Sequence, residues 1–174
     1  MKTICITAAY SKLGKTALVE RLIPLLPGWG VCKVTACIRH EESKCPRGQE
    51  DTCGICNSLQ VGFEIEEADD VIRKPNSDTG RYAQAGAEHI VWVKSRPEFI
   101  DEALQAAQKK LEGCPGTIFE GNHVLNHHSP DLAVMIVSKT GKFKESAAAV
   151  REKVDLFFET GEYDRAVEEI LKAV

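Results

Sequence analysis

Long apolar runs are missing from this chain of 174 residues. None approaches the roughly 18 residues a helix needs to cross a bilayer, so no membrane span is expected. The opening, Met1-Lys2-Thr3-Ile4-Cys5-Ile6, lacks an apolar signal region followed by a cleavage site. Strongly basic segments are missing too. The 22 basic and 26 acidic residues are spread rather evenly, for a net charge of −4, which argues against a nucleic-acid-binding role. There is no internal repeat and no low-complexity tract. Hydrophobic residues make up 43% and charged residues 28%, so the composition is that of a folded domain rather than a disordered segment. One domain over residues 1–174, in a cytoplasmic setting, is the expectation.

What the chain has in excess is cysteine. The seven are Cys5, Cys32, Cys37, Cys45, Cys53, Cys56 and Cys114, an odd number that leaves at least one unpaired in any monomeric disulfide scheme. Disulfides are rare in the cytoplasm, so buried thiols, metal ligands or redox groups are expected.

Strand and helix patterns alternate along the chain. Residues 2–7, 31–38, 89–94, 117–120, 132–137 and 154–158 read as strands. Residues 15–26, 78–87, 97–111, 143–152 and 162–174 read as helices from their apolar spacing. Residues 61–74 fit a strand or a short helix. This order predicts an α/β fold, a mostly parallel sheet with helices on both faces. Ligands of such sheets sit beyond the carboxyl ends of the strands, which directs attention to the loops at 8–15, 39–60, 120–130 and 138–142.

The first of these loops, Ala9-Tyr10-Ser11-Lys12-Leu13-Gly14-Lys15-Thr16, fits a P-loop with Ala9 in place of the first glycine. It follows a strand and opens a helix, as that motif requires. Backbone N–H groups of such a loop wrap a phosphate, and the helix N-terminus adds partial positive charge. Lys15 would reach the β- and γ-phosphates, and Thr16 would offer its hydroxyl to Mg²⁺. Alanine at position 9 carries a cost only if that residue needs a positive φ. Glu120, at the end of an apolar strand and followed by Gly121, is the candidate second ligand in the Mg²⁺ shell. Lys15 and Glu120 are thus the candidate catalytic residues, and the nucleotide is GTP or ATP.

The chain resembles the MobB family of P-loop NTPases, which is linked to the guanine dinucleotide forms of the molybdenum cofactor. The matching residues are Ser11–Thr16, Leu18–Pro24, Arg39-His40, the run Lys74–Arg81 with Ala85-Gly86-Ala87, and Phe119-Glu120-Gly121. The resemblance covers about residues 2–138 in separated patches. It implies a cytoplasmic, often dimeric, GTP-binding protein with weak hydrolysis that assists a molybdenum-cofactor nucleotidyltransferase. It also gives Asp78 and Arg81 a part in organising the site or contacting phosphate; a helix cap and a solvated charge are their alternative roles. Ser138-Lys139-Thr140-Gly141 lacks the aspartate that would read guanine, so the GTP preference comes from the resemblance alone.

Cys45, Cys53 and Cys56 fall in the polar stretch 39–60, a cysteine-containing insertion, with His40 upstream. A two-residue spacing lets Cys53 and Cys56 turn toward one ion. Cys45 with His40 or Cys37 would complete a tetrahedral Zn²⁺ site, and the cysteines would also suit part of an iron–sulfur cluster. Asn122, His123, His127 and His128 form a second polar cluster, with His123 the candidate substrate contact. Three functions remain open from sequence: the MobB-like NTPase, a small-molecule kinase or ATP-dependent ligase, and a metal-binding adaptor with a vestigial P-loop. If the cysteines hold metal, the purified protein contains zinc or iron that falls to background in Cys53→Ser and Cys56→Ser variants. Unchanged metal content would remove them as ligands.

Overall fold

The structure, a computed structural model, describes residues 1–37, 59 and 62–174. His40, Cys45, Cys53 and Cys56 lie outside the described residues, as does Arg39. Seven strands form one sheet: β1 (Lys2–Ala8), β2 (Gly30–Ala36), β3 (Phe63–Glu66), β4 (His89–Ser95), β5 (Gly116–Glu120), β6 (Leu132–Val137) and β7 (Leu156–Glu159). Their order is β3-β4-β2-β5-β1-β6-β7. Every neighbouring pair is parallel except β3 with β4. This is the expected α/β architecture with a mostly parallel sheet.

The central strands need no polar alternation because helices cover both faces. β1 is buried from Thr3 to Ala8. Ile4, Ile6 and Ala8 turn to one face, where they meet Leu18, Val19 and Leu22 of α1 (Lys15–Leu22), Tyr82 of α3 (Asp78–Gln84) and Ile170 of α7 (Tyr163–Ala173). Cys5 turns to the other face, against the cluster built by Ile100, Ala103, Leu104 and Ala107 of α4 (Ile100–Lys110). Each fully buried leucine or isoleucine contributes on the order of 2 kcal/mol. The two edge strands, β3 and β7, are four residues long and only partly buried, which leaves little free edge for a stray strand to pair with. Among the described residues no helix is long and apolar enough to cross a membrane.

Several sequence expectations shift at their ends. The first helix stops at Leu22 and tightens into a 3₁₀ turn, Ile23–Leu25, because Pro24 has no N–H to continue the α-helical ladder. Residues 143–152 yield only α6 (Glu145–Ala148) and a 3₁₀ turn at Arg151–Lys153. The ambiguous segment 61–74 contains both β3 and a short helix, α2 (Asp69–Ile72).

Residues 120–130 are not the open polar loop expected. They include a one-turn helix, α5 (Val124–His127), held down by the buried Val124 and Leu125. His127 Nδ1 lies 3.0 Å from Asp101 Oδ2. The His128 ring packs on Phe119 at a centroid distance of 5.3 Å, and its buried Nε2 has no hydrogen-bond partner.

Burial holds the His128 pKa below its ordinary value, against a weaker opposing pull from Asp131. The neutral ring is therefore favoured in the folded state, while the unfolded chain protonates near pH 6.5. Stability from this group is complete above about pH 6.5 and is lost as pH falls from there through the folded pKa. The melting temperature should drop more steeply between pH 7.5 and 5.5 in the wild type than in His128→Leu. Parallel curves for the two proteins would remove His128 as the cause.

Candidate active site

Three strand ends and two helix starts meet at one point of the sheet. The loop after β1 leads into α1 through Gly14, whose φ of +98° belongs to the left-handed region. A side chain there would also collide with Tyr163, since a Cβ would lie 1.9 Å from its Oη. Gly14 is thus required twice, by backbone conformation and by space. No side chain caps α1, so its first N–H groups remain available to an anion. Tyr163 Oη and Thr160 Oγ1 each donate to the Leu13 carbonyl at 3.4 Å, tying the loop to α7 and the turn before it.

Ala9 is buried and is not among the residues with positive φ. Its N–H donates to the Ile136 carbonyl at 2.8 Å, and its own carbonyl accepts from Lys144 N at 2.9 Å. The missing first glycine therefore carries no conformational cost. Tyr10, Ser11 and Lys12 are exposed along the loop, and Lys12 takes φ +63°. Asn122 fixes the strand end beneath: its Nδ2 donates to the Ala8 carbonyl at 2.8 Å and its Oδ1 accepts from Ala8 N at 3.1 Å.

The centre of the site is a charge cluster on one face of the sheet. Parallel pairing of β2 with β5 sets Lys33 directly opposite Glu120. Both side chains lie on the face covered by α1 and α3, and Lys33 Nζ donates to Glu120 Oε1 at 2.6 Å. Lys33 is also ion-paired with Asp78, the first residue of α3. The Thr16 hydroxyl lies 3.0 Å from Asp78 Oδ1 and 3.1 Å from Glu120 Oε2. Tyr82, one turn beyond Asp78, donates its hydroxyl to Glu120. Glu120 is 1% exposed.

The ionisation states follow from these neighbours. Burial works to lower the Lys33 pKa, but the charges and hydrogen bonds of Glu120 and Asp78 outweigh it and hold the ammonium above the ordinary lysine range. Burial works to raise Asp78, yet Lys33, the Thr16 hydroxyl and the charge of Lys15 bring its carboxyl below the usual carboxylate range. Burial and the adjacent Glu120 push the Tyr82 hydroxyl well above the usual phenol range, so it stays a donor.

Asp78 and Arg81 separate in role. The N-cap of α3 is Ser77, whose Oγ accepts from Gly80 N at 3.0 Å, so Asp78 is free of capping and turns into the cluster. Arg81 instead forms a two-pronged pair with Glu20 of α1, at 2.7 and 2.5 Å. Thr16–Asp78 and Glu20–Arg81 are therefore two rungs, one helical turn apart, joining α1 to α3.

Thr16, Asp78 and Glu120 present a hydroxyl and two carboxylates, the hard oxygen donors that suit Mg²⁺. The Lys33 ammonium already sits among them as a cation, which is the charge such a donor set is built to hold. Among the described residues no group of three or more His, Cys, Asp or Glu side chains is placed to hold a metal. Asn122, His123, His127 and His128 thus do not assemble a ligand set. Cys5 and Cys32 are buried free thiols, raised far above their usual pKa chiefly by burial. Cys37, at the end of β2, is disulfide-bonded and is not the thiolate ligand or reduced thiol expected there.

Lys33, Tyr82 and Glu20 were not singled out from sequence, and Asn122 was named there as part of a polar cluster rather than as the clamp on Ala8. Lys33 alone carried a clear signal, as a charge inside the otherwise apolar-facing strand Gly30–Ala36.

No protein-family model matches the chain, and no curated protein matches it. Among solved structures it is similar to LpxK from Aquifex aeolicus, described as an apo form in complex with ATP. That match has 17% identity and a TM-score of 0.52, and covers 93% of this chain and 49% of that one. The chain thus spans about half the length of the protein it resembles in structure. What the likeness shows is the fold, an α/β architecture with a mostly parallel sheet.

Removing Lys33 would leave Glu120 buried and uncompensated. Lys33→Met should cost about 3 kcal/mol, the low end for breaking a buried ion pair, because Tyr82 and Thr16 still bond Glu120. Lys33→Met/Glu120→Gln should recover most of that loss in urea unfolding. An equal loss in the single and double variants would show that packing, not charge, is responsible.

Proposed function

We propose that the protein binds a magnesium–nucleoside triphosphate at Ala9–Thr16. The observation that carries this reading is the convergence of Thr16, Asp78 and Glu120 at the end of a P-loop whose helix start is left uncapped. Loop N–H groups and Lys15 hold the phosphates, and Thr16 with the two carboxylates holds Mg²⁺, which when bound neutralises charge on the β- and γ-phosphates. Similarity of fold to an ATP-bound protein supports the same ligand class. Glu120, paired with Lys33 and oriented by Tyr82, stays in the metal shell rather than acting as a base. Weak, Mg²⁺-dependent hydrolysis belongs to this reading and rests on the resemblance.

A role in molybdenum-cofactor guanine dinucleotide maturation, with a nucleotidyltransferase partner and a homodimeric state, rests on the resemblance at Ser11–Thr16, Asp78–Arg81 and Ala85–Ala87. A second reading, phosphoryl transfer or ligation on a small molecule, is favoured by a pocket beside Lys33 and Asp78. Zn²⁺ or a cluster at His40, Cys45, Cys53 and Cys56 is a further, separate proposal that rests on spacing alone and requires these cysteines as reduced thiols.

Titration calorimetry with Mg-ATP and Mg-GTP tests the central claim. At least one should bind, and Lys15→Ala should weaken it about tenfold or more, the share of a charge-assisted bond to phosphate. Thr16→Ala should remove most of the dependence on Mg²⁺. Absence of binding by both nucleotides, or undiminished binding by Lys15→Ala, would end this reading.

A further inference from the structure

A pocket of about 350 Å³ opens beside the charge cluster, lined by Lys33, Thr35, Asn76, Asp78, Thr79 and Trp92. That volume falls at the small-molecule end of ligand sites, which begin near 300 Å³. Its floor is set by register: Lys33 lies opposite Trp92 in the β2–β4 ladder, with Thr35 two residues on along the same face. Its rim is the segment that starts α3. Much of the polar lining is spent internally. Trp92 Nε1 donates to Thr35 Oγ1 at 3.0 Å, and Thr79 Oγ1 shares a 3.2 Å hydrogen bond with Ser77 Oγ. Lys94 Nζ lies over the Trp92 ring, 4.6 Å from its centroid, so what remains for a ligand is the part of that ring left uncovered, the exposed Asn76 amide and Lys33.

Lys33 has three N–H donors, and two go to Asp78 and Glu120. The cluster of Lys33, Asp78 and Glu120 has one positive and two negative charges. A divalent cation on Thr16, Asp78 and Glu120 reverses the balance to one net positive charge. It also competes with Lys33 for both carboxylates and repels its ammonium. The described cavity that Lys33 lines is the space into which that charge can turn. Asn76 stands ready on the rim in a left-handed conformation, φ +64°, which asparagine tolerates better than most residues.

We propose that this pocket is a second-substrate subsite for a small anionic metabolite. Its carboxylate or phosphate group is held by Lys33 and Asn76, and its remaining surface lies on Trp92. Occupancy is coupled to Mg²⁺ loading through Lys33. The proposal rests on the reading of the P-loop as the metal–nucleotide site.

Trp92 supplies the readout. In a Trp29→Phe background it is the remaining tryptophan of the chain's two. That protein is saturated with Mg²⁺ and a non-hydrolysable ATP or GTP analogue, so that the P-loop is filled, then titrated with inorganic phosphate and separately with succinate. At least one anion should give a saturable fluorescence change, and comparing the two tells phosphate from carboxylate. Without Mg²⁺ the apparent affinity should fall about fivefold or more, a modest coupling. Asn76→Gly, which keeps the backbone conformation, should weaken it about tenfold, as should Lys33→Met. If Lys33→Met fails to fold, Asn76→Gly and the Mg²⁺ dependence decide. No saturable change with either anion, or a response untouched by Asn76→Gly and by Mg²⁺, overturns the proposal. Calorimetry of the nucleotide on the same sample separates the two failures: nucleotide binding with no anion response sinks only the subsite, whereas no nucleotide binding sinks the P-loop reading with it.

Discussion

One buried ion pair organises this molecule. Lys33 and Glu120 are neighbours in the β2–β5 ladder, so the charges meet because the register makes them meet. Taking either charge out of water costs several kcal/mol, and the pair offsets that only if the remaining donors and acceptors are satisfied. The rest of the site performs that task. Tyr82 and Thr16 complete Glu120, and Asp78 accepts a hydrogen bond from another Lys33 N–H. A one-residue slip of β2 would carry Lys33 to the opposite, apolar face, among residues such as Phe119 and Met135. The pair thus selects a register as well as anchoring the charge cluster.

The helices inherit their placement from the same cluster. α3 begins at Ser77, which caps it, and this leaves Asp78 able to turn toward Thr16 and Lys33. One turn further, Arg81 and Glu20 repeat the link between α1 and α3. The second rung is half-exposed and worth less than the first, but it fixes the rotation of α3 about its own axis. Without that rotation Tyr82 would not face Glu120.

Legibility from sequence divided along physical lines. The α/β order was readable because apolar spacing switches period between strand and helix, and β1, β6 and α7 fall nearly where that pattern puts them. Glu120 was readable because a carboxylate closing an apolar strand after a P-loop is a local pattern. Lys33 was not picked out, because its partner is 87 residues away and only sheet pairing brings the two together. Tyr82 and Glu20 look like ordinary helix residues until the packing of α1 on α3 gives them a side. At residues 122–128 Asn122 and the three histidines drew attention to polarity, while Val124 and Leu125 decided the structure by entering the core. The antiparallel β3 was hidden in an ambiguous segment, since four half-buried residues carry too short a period to read.

The clasp between Leu13 and the Tyr163 hydroxyl has a consequence for how the protein is made. The loop 9–16 is synthesised about 150 residues before α7, yet one of its walls belongs to that helix. Arg21 adds to the same contact, reaching Asp164 at 2.5 Å and lying over the Tyr163 ring. A nascent chain that has finished β1 and α1 therefore holds every residue of the loop without its finished shape. That shape is complete only once α7 has docked.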